Sequence, residues 1–295
     1  MFRSIVEFFK WFCCRKKLQD GSDIERARGH DFDNPRHCEG GHGTCTADKQ
    51  IVGTVTYPWC KSHAEEHQKE HREKVEKLPK ECIVVYTDGS CKDYPSKFNG
   101  VGAHFPDKTE WDLKLKLKGA RALKEKENDL DFLEKHPMEK ALLTVVDKKK
   151  EERSTLVETI AACVALDKLL KEGFKHGRSV MIFSDSKDMC NGIDRMINKD
   201  LQCEKDEALE KAWGKNWKDA TYTDALYKLA KVVKMFRKVH GSWVSFKWVK
   251  AHVGVPGNVE ADKLATAAEK EPEKWIELEF LNKANTSSSS SRNQH

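Results

Sequence analysis

A chain of 295 residues has room for one large domain or for a domain with an appendage. Hydrophobic residues make up 38% and charged residues 34%, enough to bury a core under a heavily charged surface, and no apolar run is long enough to span a bilayer as a helix. The net charge of +5 is modest for a nucleic-acid binder, so basic residues must cluster to meet phosphates; ten cysteines without a secreted disulfide framework or a signal peptide point to a reducing, intracellular compartment.

Residues 1–20 form a basic aromatic segment. Its first 17 residues carry five basic and one acidic side chain around Phe2, Phe8, Phe9, Trp11 and Phe12. Three readings stand side by side: a mitochondrial presequence, a membrane-surface helix with acylatable Cys13 and Cys14, or a docked helix of the fold. Residues 21–80 are polar and rich in Cys and His. Cys38, Cys45, Cys60 and His63 could supply four ligands to a structural Zn2+, but the spacing matches no finger class, and a Gly-rich loop with incidental thiols is the simpler reading. His63, His67 and His71 recur every four residues on a Lys/Glu-rich helix ending before Pro79, a pattern expected of a solvated face.

Residues 83–87 form a continuous apolar run and predict a buried strand; 100–105 predict a second. Residues 111–118 alternate strictly, which predicts a strand with one wet face. Residues 119–152 are charged and lack a clear period, apart from 141–146. A helix is expected over 155–171, closed by Gly173, and a buried strand over 180–183, parallel to the first because a helix precedes it. A helix follows Ser186, another spans 223–239, a fifth strand lies at 243–249 and a last helix at 259–270. The Ser-rich tail, 272–295, is expected to be disordered.

Four acidic residues stand in apolar settings: Asp88 after the first strand, Glu158 in a helix, Asp185 at a strand end, and Asp262 in the last helix. Each has a plain structural explanation. Asp88-Gly89 is a common turn pair, Thr155 and Glu158 have capping-box spacing, Asp185 could cap a helix with Ser186, and Asp262 suits a helix's first turns. Ala161, Ala162 and Ala165, however, would let the Glu158 helix press close to a sheet. Ionised carboxylates beside a core are costly unless a cation meets them, so four that converge suggest a divalent-metal site for phosphate chemistry.

Thr87-Asp88-Gly89-Ser90, Glu158 followed by small residues, Ser184-Asp185-Ser186, and the run Trp248-Val-Lys-Ala-His252-Val-Gly-Val-Pro-Gly257-Asn258-Val-Glu-Ala-Asp262 occur in this order. This resembles ribonuclease H of the type 1 class, over roughly residues 81–271, with 119–152 as an insertion. The resemblance implies a ribonuclease H-like α/β fold, a five-stranded mixed sheet flanked by helices. It also implies hydrolysis of the RNA strand of an RNA–DNA hybrid, giving 5′-phosphate products. Two Mg2+ ions, with Mn2+ as a substitute, would share Asp88. One would also be held by Asp262, the other by Glu158 and Asp185; one activates water and the other stabilises the leaving oxygen.

By the same resemblance His252, in a Gly- and Pro-rich loop, assists proton transfer or product departure. Trp213, Lys215, Trp217 and Lys218 resemble the basic protrusion that contacts the DNA strand. Ser154 and Thr155 stand where the family commonly has amide side chains that read RNA 2′-hydroxyls, and Asn258 belongs to the same substrate-facing set. No attached hybrid-binding module is recognisable in residues 1–80. A monomer is expected, in the nucleus, the mitochondrion or the cytoplasm. The competing reading, favoured by the altered 2′-hydroxyl contacts, is a catalytically weak hybrid- or duplex-binding protein on the same fold. A fragment of residues 80–275 is expected to suffice for cleavage.

Overall fold

The computed structural model describes residues 50–52, 55–57, 61–92, 98–145, 150–172, 174, 177–197, 209–210, 222–276 and 278. Residues 1–20, Cys38, Cys45, Cys60, Trp213, Lys215, Trp217, Lys218 and residues 279–295 of the Ser-rich tail lie outside them, as does the side chain of His63.

Two three-residue strands, β1 (Gln50–Val52) and β2 (Val55–Tyr57), pair antiparallel, and α1 (Lys61–Glu76) follows. The main sheet opens with β3 (Ile83–Lys92), β4 (Phe98–His104) and β5 (Leu113–Leu117), an antiparallel meander. β6 (Val180–Ser184) and β7 (Val244–Trp248) add in parallel on the β3 side. The antiparallel opening and the parallel crossover expected from the chain order are both present.

The sheet has six strands rather than five, in the order β7-β6-β3-β4-β5-β8. The extra one, β8 (Glu273–Lys274), pairs parallel with β5. Two residues carry no alternation to read, so a strand this short has no sequence signature. It brings the chain beyond residue 271 into the fold: Trp275 packs against Phe132 and His136, and the Ile276 amide donates to the buried Glu139 carboxylate.

Between β5 and β6 lie α2 (Ala120–Glu125), α3 (Leu130–Lys135), α4 (Pro137–Val145) and the long α5 (Lys150–Lys171). The first three have about two turns each, too few to show a period, and each buries only one to five side chains, such as Leu123, Leu133 and Met138. α6 (Lys187–Ile197), α7 (Thr223–His240) and α8 (Pro256–Ala267) complete the layers.

The central strands are apolar on both faces because both faces are covered. Val85, Val180 and Ile182 face the larger core with α5, α6 and α7. Tyr86, Met181 and Phe183 face a second cluster with Ala64 and Val75 of α1, Val253 and Ala261. α1 is therefore not a freely solvated helix. His71 is buried, its Nε2 lies 2.7 Å from the Tyr86 hydroxyl, and its ring meets Phe183 edge-on. Burial, then the Lys74 ammonium, lowers its pKa to about 4. The four-residue spacing of these histidines gave no hint that His71 points inward.

Candidate active site

β3 and β6 run parallel with Thr87 opposite Ser184, so the next residues, Asp88 and Asp185, lie side by side. Neighbouring strands are about 4.8 Å apart. Asp88 is not in a turn: β3 continues to Lys92, and Asp88 pairs with Gly102 of β4. Asp185 is the first residue beyond β6, before α6, whose amino end Ser186 caps by accepting from the Met189 amide at 3.3 Å.

Glu158 arrives from α5. That helix starts at Lys150, so Thr155 is interior and its carbonyl accepts from the Thr159 hydroxyl at 2.7 Å; the capping-box explanation does not apply. The Glu158 carboxylate instead accepts from the Gly89 amide (2.9 Å) and the Ser184 hydroxyl (3.2 Å). Gly89 is required by this close approach: a Cβ there would lie 2.7 Å from the Glu158 nitrogen and 2.9 Å from the Val157 carbonyl carbon. On α8 the same device recurs. A Cβ on Gly102 would lie 2.2 Å from the Ala261 oxygen, so α8 sits against β4 and presents the adjacent Asp262, near enough to Asp88 to help raise its pKa.

Asp88, Glu158 and Asp185 each offer a carboxylate oxygen, all within 4.8 Å of one another. Asp88 is 7% and Glu158 4% exposed. Burial, then the charge of Asp185, pushes Asp88 well above the usual carboxylate range. Burial, then Asp88 and Asp185, does the same to Glu158. Asp185 is raised by burial and by Asp262, against the lowering effects of Asn258 and His252. So many anions in one desolvated place must share protons or take up a cation. Hard carboxylate oxygens gathered this closely fit a divalent ion.

His252 is exposed in the loop after β7, close enough to Asp185 to favour its ionised form. Ser154 and Thr155 are half-buried on α5, four and three residues before Glu158 and so on its face of the helix. Asn258 is 5% exposed, and its Nδ2 donates to Asp185 Oδ2 at 3.3 Å, so its amide supports a carboxylate in this structure.

Two supports escaped sequence reasoning. Ser184 links Glu158 to the start of α6, its hydroxyl accepting from the Ser186 amide at 3.1 Å. Trp248, 43% exposed, donates its indole N–H to the Asp185 carbonyl at 3.0 Å, with the Lys187 ammonium 5.7 Å from its ring centre. A serine inside the apolar run before Asp185 was the available signal for the first. For the second, Trp248 opens the Trp248–Asp262 run, but the run gave no role to its indole.

Residues 80–270 match the RNase H family, a span that holds all four carboxylates and His252. The chain belongs to the ribonuclease H family. It is 26% identical over 193 residues to the ribonuclease H of Francisella philomiragia, covering 64% of this chain and 91% of that protein. The ribonuclease H of Francisella tularensis subsp. novicida matches equally, at 26% identity, 64% and 91%. Among solved structures, a ribonuclease H1 isolated from compost by a metagenomic approach aligns over 64% of this chain and 95% of its own, at 17% identity and a TM-score of 0.35. Ribonuclease H enzymes use divalent metal ions, and the buried triad suits one.

Proposed function

We propose that this chain is a type 1 ribonuclease H, an endonuclease that hydrolyses the RNA strand of RNA–DNA hybrids and leaves 5′-phosphate ends. The observation that carries this reading is the carboxylate triad Asp88, Glu158 and Asp185, with Asp262 near enough to raise the pKa of Asp88, inside a ribonuclease H domain. These four residues would hold two Mg2+ ions, or Mn2+ in their place. The ions would supply activation of the attacking water and charge stabilisation at the leaving oxygen.

The protein's own groups hold the carboxylates still. Gly89 and Ser184 fix the Glu158 carboxylate, Asn258 fixes that of Asp185, and Trp248 holds the Asp185 backbone carbonyl. His252 stands at the rim, where an imidazole can move a proton or speed product departure. Ser154 and Thr155, on the Glu158 face of α5, would meet RNA 2′-hydroxyls. Trp213, Lys215, Trp217 and Lys218 would meet the DNA strand. Residues 1–20 would serve location, in the nucleus or the mitochondrion, and the protein would act as a monomer.

The test is full-length protein with Mg2+ on a labelled RNA–DNA hybrid, beside RNA–RNA and DNA–DNA duplexes. Cleavage of the RNA strand of the hybrid alone is the expected result. Asp88→Asn should abolish it while hybrid binding stays within about threefold, because the phosphate contacts lie elsewhere. Tight hybrid binding by the wild type without Mg2+-dependent cleavage would favour the binding-protein reading instead.

A further inference from the structure

The loop between β7 and α8 carries His252, and its backbone is unusual. His252 has φ 58° and Gly254 φ 74°, so two left-handed residues flank Val253. L side chains rarely adopt that conformation, and a histidine kept there must be held by its surroundings. The hold comes from α1, whose residues precede the span that matches the family. Gln68 Nε2 donates to the Val253 carbonyl at 2.7 Å. The Val253 side chain is fully buried in the cluster that includes Ala64 and Val75 of α1. Gly254 leaves room for this bond: a Cβ there would lie 2.8 Å from Gln68 Nε2. One turn further along, His71 fastens α1 to the sheet through Tyr86 and Phe183.

We propose that Gln68 is a positioning residue for His252: α1 clamps the loop at Val253 so that the imidazole is presented to the Asp185 side of the carboxylate cluster. This rests on the proposed role of His252 in hybrid cleavage. In it, α1 becomes a working part of the nuclease unit rather than a spacer before it.

The experiment uses full-length protein. Gln68→Glu keeps the shape but sets a carboxylate oxygen, in place of the donor, against the Val253 carbonyl. We expect kcat on a labelled hybrid to fall about tenfold with KM unchanged, the scale of one lost hydrogen bond to a group left unpaired. In the His252→Ala background the same change should alter kcat less than about twofold, because there is no imidazole left to misplace. Trypsin cleavage after Lys250 should accelerate in Gln68→Glu, a readout independent of activity. Equal losses in both backgrounds, or an unchanged kcat, would overturn the proposal, as would an unchanged trypsin rate. A wild type that does not cut hybrids would sink the proposed function instead, and the trypsin rates would still decide whether Gln68 holds the loop.

Discussion

Asp88→Asn should make the metal-free protein more stable while destroying its activity. The three carboxylate oxygens lie within 4.8 Å of one another, and at that distance two unit charges in an effective dielectric of about 20 repel by roughly 3 kcal/mol. Shared protons already relieve part of this, which leaves a net gain of about 1–2 kcal/mol from removing one charge. For a unit of this size that is an increase in Tm of about 2–8 °C. The pH dependence has a definite sign. Asp88, Glu158 and Asp185 are all raised by burial first, so the folded chain keeps protons that the unfolded chain releases above about pH 4. Metal-free stability therefore declines as pH rises out of the ordinary carboxylate range, and the variant's advantage should be largest near pH 8 and vanish toward pH 4. The assay is thermal unfolding in EDTA across that range, repeated with Mg2+, which should raise the Tm of the wild type and much less that of the variant. A variant that melts below the wild type in EDTA at pH 8 would refute the reasoning, as would a difference that does not depend on pH.

His252→Ala should slow hybrid cleavage about 10- to 100-fold without abolishing it, measured as single-turnover rates beside Asp88→Asn; a complete loss would give the imidazole a different role. Gly89→Ala should cost about 1–3 kcal/mol of stability and most of the activity, because its Cβ would meet the Glu158 nitrogen at 2.7 Å and push α5 off β3; denaturant melts and cleavage rates test it together. His71 is held at about 4, below its unfolded value near 6.5, by burial and then by Lys74, beside the Tyr86 hydroxyl. Its contribution is present above about 6.5 and lost as pH falls toward 4, so the stability gap between wild type and His71→Gln should narrow over that window in urea titrations. A fragment of residues 80–275 should be less stable and less active than one of residues 49–278, since it lacks α1 and bares Tyr86, Phe183 and Val253; equal melting temperatures would show that α1 contributes nothing to the fold.

The sequence by itself determined the central strands, their order of appearance and the four carboxylates. The apolar run before Asp88 and the run before Asp185 must each be covered on both faces, and a helix between such strands makes them parallel. The tertiary structure decided the rest. Whether Asp88 ended a strand in a turn or lay within one depended on Gly102 across the ladder. Whether Glu158 capped a helix or faced the cluster depended on where α5 begins, and residues 119–152 gave no period from which to read that start. β8 was too short to have a pattern. The inward turn of His71 and the bond from Gln68 to Val253 join positions far apart in the chain. Contacts of that kind follow from packing, which local periodicity does not encode.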